Sequence, residues 1–72
     1  MPSKYPVLKP EEIIRALQKA GFVFKSQRGS HIKYVRENRI VIIPKHSEVA
    51  KGTLKSILIQ AGMELEDFLK LI

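Results

Sequence analysis

The spacing of the apolar residues changes along this chain, and that change most constrains its fold. In residues 13–20, and again in 54–61, apolar residues recur at i, i+3, i+4 and i+7, which is typical of a helix with one buried face. Between these segments, residues 22–27, 31–36 and 39–43 are short runs rich in strand-forming residues. The sequence therefore predicts a helix, three strands and a second helix, in that order.

Turn and capping residues give the predicted elements their limits. Pro10 fits the first turn of a helix, where its missing N–H costs nothing, and Gly21 suits the left-handed position that ends the helix. Gly29 and Asn38 lie between the strands, where both residue types tolerate a positive φ, and Pro44 ends the third strand. The predicted elements are a helix from about residue 9 to 20, strands at 22–27, 31–36 and 39–43, a helix at 51–61 and a short C-terminal helix at 64–71.

These elements form a single domain over residues 1–72, because a chain this short has no room for a second. The predicted fold is an α+β two-layer sandwich, with an antiparallel three-stranded sheet packed against the helices. On the second strand, Ile32 and Tyr34 face the core, while His31, Lys33 and Val35 face the other way. We expect that other face to be polar and open to solvent.

Basic residues are concentrated in the middle of the chain. The formal net charge is +6, and residues 25–55 contain eight Lys or Arg against two acids. This pattern indicates a polyanionic partner, most commonly a nucleic acid. The chain has no cysteine, and two distant histidines are a poor basis for a zinc site, so we predict no metal site. Without a membrane span or a secretory signal, we expect a cytoplasmic protein.

One histidine within the basic stretch has the surroundings of a catalytic group. His31 follows a Gly-Ser pair and lies near Arg28 and Lys33. Cleavage of RNA needs a base for the 2′-hydroxyl or an acid for the leaving oxygen, and histidine changes charge near neutral pH. Cations stabilise the charge on phosphorus, and we predict that Lys25, Arg28 and Lys33 do so here. His31 is therefore the candidate catalytic residue.

The neighbouring candidates also have structural interpretations. Gly29 either lets backbone approach a phosphate or only forms the hairpin corner, and Ser30 would bond a phosphate oxygen. His46, in a loop after the third strand, is favoured as a surface or structural group over a second catalyst, with Lys45 beside it as a secondary contact. Lys51 either helps bind an anion at a helix start or belongs to a plain helix cap, and we favour the cap.

Several short motifs occur in order along nearly the full length of the chain. They are Ala20-Gly21-Phe22, Gly29-Ser30-His31, Pro44-Lys45-His46 and a Gly-Thr-Leu-x-x-Ile-Leu-x-x-Ala-Gly run from Gly52 to Gly62, followed by an acidic tail. In this combination the chain resembles the HicA-type mRNA interferase toxins, also called the YcfA family. It departs from them at Ile32, where many relatives carry a second histidine or an aromatic residue.

The resemblance implies a double-stranded-RNA-binding-like fold and cleavage of mRNA centred on His31, with no metal or cofactor. It also implies a cognate antitoxin of the HicB type that covers the active face. Two hypotheses stay open for the basic face: an endoribonuclease with His31 as general acid or base, or a non-catalytic RNA-binding module. A pure protein-interaction domain is a third.

Overall fold

The structure, a computed structural model, describes residues 5–72, so the first four residues of the predicted domain lie outside the described part. The elements are α1 (Pro10–Lys19), β1 (Val23–Arg28), β2 (His31–Arg36), β3 (Arg39–Pro44), α2 (Lys51–Ala61) and α3 (Leu65–Leu69). The three strands form one antiparallel sheet with β2 in the centre. The predicted α+β fold is confirmed.

The predicted limits of β2 and α2 agree with the structure. The first strand begins one residue later than predicted and continues through Arg28, β3 includes Pro44, and α3 is shorter at both ends. The loop after β3 returns to the segment before α1, where the Val49 N–H donates to the Leu8 carbonyl at 2.7 Å. Both residues are buried, so this contact ties the loop to the segment that precedes α1.

The end of α1 is built as its sequence predicts. Gly21 has a φ of 98°, a region that favours glycine because a side chain would be strained there. Its N–H donates to the Gln18 carbonyl at 3.0 Å, and the Phe22 N–H donates to the Leu17 carbonyl at 2.9 Å. These bonds satisfy carbonyls that the helix leaves open, and they turn the chain into β1.

Two-residue turns connect the strands of the sheet. Arg28 pairs with His31 across the first turn, where Gly29 has a φ of 58°. The second turn is also where the sequence places it, but its positive φ, 54°, belongs to Glu37 and not to Asn38. A two-residue hairpin with one positive φ needs it at the first central position. The position of a residue in the turn therefore decides which one adopts the positive φ, even though asparagine tolerates a positive φ better than glutamate does.

The two faces of the sheet differ in burial. Ile32 and Tyr34 are each 6% exposed and, with Val41 and Ile43 of β3, face the helices. His31 is exposed on the opposite side, which we call the outer face. The alternation predicted for β2 is therefore confirmed, and it sets His31 away from the core.

The outer face is polar only at the end that carries His31. At the other end, Val23 of β1, Val35 of β2 and Ile40 of β3 pair across the sheet. We call these three residues the apolar row. Ile40 is 53% exposed and Val23 is exposed as well. The expectation of a polar outer face is therefore too simple, because the aliphatic residues of three strands meet only when the strands pair.

One cation of the basic stretch has a structural role. The Nη1 of Arg36 donates to the Ala20 carbonyl at 2.6 Å, and its guanidinium carbon lies 5.0 Å from the centre of the Phe22 ring. This contact combines a charged hydrogen bond with a cation–π interaction. Arg36 therefore joins β2 to the end of α1.

All three helices contribute to one core on the inner side of the sheet. Their fully or almost fully buried side chains include Ile13 and Leu17 of α1, Leu54 and Leu58 of α2, and Phe68 of α3. Within residues 5–72, no helix has the length and apolar character needed to cross a membrane.

Candidate functional site

His31 lies at the start of the central strand, directly after the Gly-Ser turn. Its backbone pairs with Arg28 on one side and with Pro44 on the other. The side chain is exposed on the outer face. A histidine packed in the aliphatic interior could not reach a ribose, and the structure does not place His31 there.

A cleft of about 260 Å³ opens on the outer face beside this histidine. It is lined by Ser26, Arg28, His31, Lys33 and Ile42. We call these five residues the cleft. Strand pairing explains how they meet, since Ser26 pairs with Lys33, and Lys33 in turn pairs with Ile42. Residues two apart on a strand point to the same face, so the cleft consists of two neighbouring rows of the outer face.

The cleft is cationic and its charges have no acidic partners. Arg28 and Lys33 take part in no ion pair, and the ion pair found within residues 5–72 joins Lys70 to Asp67 at 3.9 Å, on α3. Cations without partners attract a polyanion, and Arg28 presents donors in a planar fork that suits phosphate oxygens. Among residues 5–72, no cluster of three or more His, Cys, Asp or Glu could hold a metal ion.

The Gly-Ser pair forms the hairpin corner, the structural alternative that its sequence left open. The Gly29 carbonyl accepts a hydrogen bond from Nε2 of Gln27 at 3.0 Å, and the Ser30 carbonyl accepts one from the Lys45 N–H at 2.6 Å. Neither Gly29 nor Ser30 lines the cleft. Their observed contribution is to set the position of His31, while their contact with a phosphate stays a prediction.

Lys25, predicted as an RNA contact, lies at a bulge in β1. The pairing with β2 shifts between Phe24 and Ser26, so Lys25 has no partner residue on β2. It is exposed but does not line the cleft. A bulge changes the pairing of the residues beyond it, and here it places Phe24 opposite Tyr34 and Val23 opposite Val35, while Ser26 keeps the register of the hairpin and pairs with Lys33. The role of Lys25 in binding RNA stays a prediction.

The secondary candidates lie outside the cleft. Lys45 and His46 are exposed in the loop after β3, and Lys51 is exposed at the first position of α2. Ala50 occupies the N-cap position of α2, and no side chain there makes a capping hydrogen bond. The plain cap that we favoured for this segment therefore involves no side-chain bond, and Lys51 does not line the cleft.

Two residues of the cleft were not among the predicted site residues. Ser26 could have been found by counting back from the hairpin, because Arg28 faces His31 and every second residue shares a face. Ile42 follows from the same alternation on β3 once it is paired with Lys33. The sequence contains both signals, but they become visible only when the register of all three strands is used.

Comparison with models of known protein families identifies a match over most of the chain. The family is described as the HicA toxin of bacterial toxin–antitoxin systems, and its model matches residues 10–63, which is more than half of the 72 residues. The matched range contains all three strands and every residue of the cleft, and it ends before α3. A search of curated proteins finds no match.

Proposed function

Because the chain belongs to the HicA toxin family of bacterial toxin–antitoxin systems, we propose that it is a metal-independent endoribonuclease that cleaves mRNA, with His31 as general acid or base. The observation that carries this proposal is the cleft, in which an exposed imidazole stands beside Arg28 and Lys33. We propose that it acts in the cytoplasm, where its mRNA substrate is found.

RNA supplies the nucleophile of the proposed reaction. The 2′-oxygen forms a bond to phosphorus while the bond from phosphorus to the 5′-oxygen breaks. The proton of the 2′-hydroxyl passes to a base, and the 5′-oxygen receives a proton from an acid. The products end in a 2′,3′-cyclic phosphate and a 5′-hydroxyl, and no water or cofactor is consumed.

The cleft residues match the needs of this reaction. His31 can exchange a proton, since imidazole accepts and donates protons near neutral pH. Arg28 and Lys33 can stabilise the negative charge that grows on the phosphate oxygens. The hydroxyl of Ser26 can donate to one of these oxygens. Ile42 provides an apolar wall on the β3 side of the cleft.

The ends of the RNA fragments test the proposed chemistry. We expect purified wild type to cut a single-stranded RNA into fragments with 2′,3′-cyclic phosphate ends, at a rate that EDTA does not change, because the attacking oxygen belongs to the substrate. The ends can be identified by mass spectrometry, with an RNA carrying 2′-O-methyl groups as the uncut control. Fragments ending in a 3′-hydroxyl and 5′-phosphate would contradict the proposal.

A non-catalytic RNA-binding module is the second candidate. It is favoured by one observation: the cleft contains a single imidazole, whereas the proposed cleavage transfers two protons. Such a module would bind RNA with an affinity that falls steeply with salt. It would leave the RNA intact at long incubation, whereas the proposed enzyme cleaves it.

An antitoxin is the protein partner that family membership implies, and we assign it to the HicB type. We propose that it binds the outer face, where the apolar row lies next to the cationic cleft. Exposed aliphatic residues that form a contiguous patch mark protein interfaces more often than scattered ones do. An antitoxin in this position would cover His31.

Substitution within the apolar row tests this placement. We expect Ile40→Glu to weaken binding of the cognate antitoxin about 100-fold, because an unpaired carboxylate buried in an interface costs several kcal/mol. Titration calorimetry measures the affinity. Ile59→Glu is the matched control, since Ile59 lies on α2 and is 67% exposed. Equal affinities for the Ile40 variant and wild type would exclude the apolar row from the interface.

A further inference from the structure

The proposed cleavage exchanges two protons, but the cleft contains one imidazole. One proton leaves the 2′-oxygen and another reaches the 5′-oxygen, and in an in-line displacement these oxygens lie on opposite sides of phosphorus. Two separate groups are therefore needed for efficient acid–base catalysis. We propose that His46 is the second proton-transfer residue, working with His31 across the scissile phosphate. This inference rests on the proposed function and adds a catalytic residue to it.

A backbone hydrogen bond places both histidines at the same end of the sheet. The Lys45 N–H donates to the Ser30 carbonyl at 2.6 Å, one residue beyond the pairing of His31 with Pro44. His31 follows Ser30, and His46 follows Lys45. The two histidines are thus the next residues on either side of one interstrand hydrogen bond, although fifteen positions separate them in the sequence.

The end of the ladder brings the backbones of the two histidines close together. Pro44 pairs with His31, so His46 stands two residues beyond the direct partner of His31. In a regular ladder such diagonal neighbours have their β-carbons about 7–8 Å apart; here β3 ends at Pro44, and His46 lies in the bend that follows. The proposed role requires the His46 ring to turn from this bend to the outer face, the face of His31. Two imidazoles at that separation can approach one phosphate from opposite sides.

The His46 side chain is free to make such an approach. It is exposed, and none of the hydrogen bonds or ion pairs between described residues uses its ring. The chain bends at residues 46–48, which are exposed throughout. His46 does not line the cleft, so the proposed role requires its ring to turn toward the phosphate when RNA is bound.

Among the groups near His31, two candidates remain for the second proton-transfer role. The Arg28 guanidinium stays protonated and serves as an electrostatic contact. Lys33 is the competing candidate for an acid, and the experiment below separates it from His46. Ser26 has an ordinary hydroxyl with no base among the cleft residues other than His31. His46 is the only other histidine of the chain.

A substrate with a sulfur leaving atom identifies the acid. We would use an oligodeoxynucleotide with one internal ribonucleotide, made with each of the four bases, and a second set with sulfur in place of the bridging 5′-oxygen. A thiolate leaves without being protonated, so this substrate does not need an acid. The variants are His31→Ala, His46→Ala and Lys33→Ala, with Ser47→Ala as the control beside His46.

We expect His46→Ala to lower kcat on the oxygen substrate by about 10²–10⁴-fold, the usual size of general acid–base catalysis. The sulfur substrate should restore the rate of one histidine variant, the one lacking the acid, and should not restore the other. Ser47→Ala should match wild type. Because His46 is exposed, thermal unfolding of His46→Ala should occur within a few degrees of wild type.

Three results would overturn the assignment of His46. The first is cleavage by His46→Ala within about threefold of wild type while His31→Ala is inactive. A threefold change is too small for the loss of an acid or base, and this result would leave the proposed function intact. The second is loss in both histidine variants with sulfur rescue of Lys33→Ala alone, which makes lysine the acid. The third is full activity of His31→Ala, which removes the proposed function itself.

Discussion

His31→Ala is expected to cleave RNA about 10²–10⁴ times more slowly than wild type, since general acid or base catalysis by one group typically contributes that factor. The loss should appear in kcat, because Arg28 and Lys33, the cations that we propose bind RNA, remain in the cleft. The free energy of unfolding should change by less than about 1 kcal/mol, as is usual at an exposed site away from special features. Cleavage of a defined RNA by RNase-free protein and chemical denaturation measure the two quantities.

The comparison of His31→Ala with wild type needs a control variant at the far end of the sheet. Asn38→Ala changes an exposed residue in the second turn and should leave cleavage unchanged. Expression of wild type in cells should slow growth and shorten transcripts, while His31→Ala should do neither. Undiminished cleavage by purified His31→Ala would remove the histidine from the mechanism, whatever the family of the chain.

Phe68→Ala is expected to destabilise the protein by about 3–5 kcal/mol, the usual cost of truncating a buried phenylalanine. Phe68 is 0% exposed, and a domain of this size has a total stability on the order of 4–11 kcal/mol. The variant should therefore lose a large share of its unfolding free energy and unfold at a clearly lower urea concentration than wild type. Circular dichroism with a urea titration measures this loss.

The matched control for Phe68 is its neighbour Leu69, which is 40% exposed. Leu69→Ala should change the unfolding free energy by less than about 1 kcal/mol, because its side chain fills little of the core. The pair tests whether α3 belongs to the domain, since the family match ends at residue 63. Equal stability of Phe68→Ala and wild type would show that the domain folds without the packing of α3.

Much of the fold could be predicted because its causes are local. The i, i+3, i+4 spacing places the apolar face of α1 and α2, and Gly21 ends α1 because its backbone takes a φ that other residues rarely adopt. Alternation on β2 correctly separates Tyr34, which is buried, from His31, which is exposed. These features depend on residues a few positions apart.

Other features depend on contacts between distant residues and escaped prediction. Arg36 belongs to the basic stretch by sequence, yet its side chain donates a hydrogen bond to the Ala20 carbonyl at the end of α1, sixteen positions earlier. The bulge at Lys25 shifts the register of the residues before it, so that Phe24 lies opposite Tyr34 and Val23 lies opposite Val35. The positive φ of the second turn lies at Glu37 because the hairpin geometry of both strands requires it there.

The sequence by itself determined the order of the elements, the two faces of β2 and the identity of His31 as the one histidine in a basic, strand-forming segment. Only the tertiary structure decided that Ser26, His31 and Ile42 line one cleft and that the apolar row lies beside it. The physical reason is the sequence separation over which each kind of interaction acts. Backbone sterics and side-chain periodicity act over a few residues, whereas a cleft exists only after three strands have paired in one register.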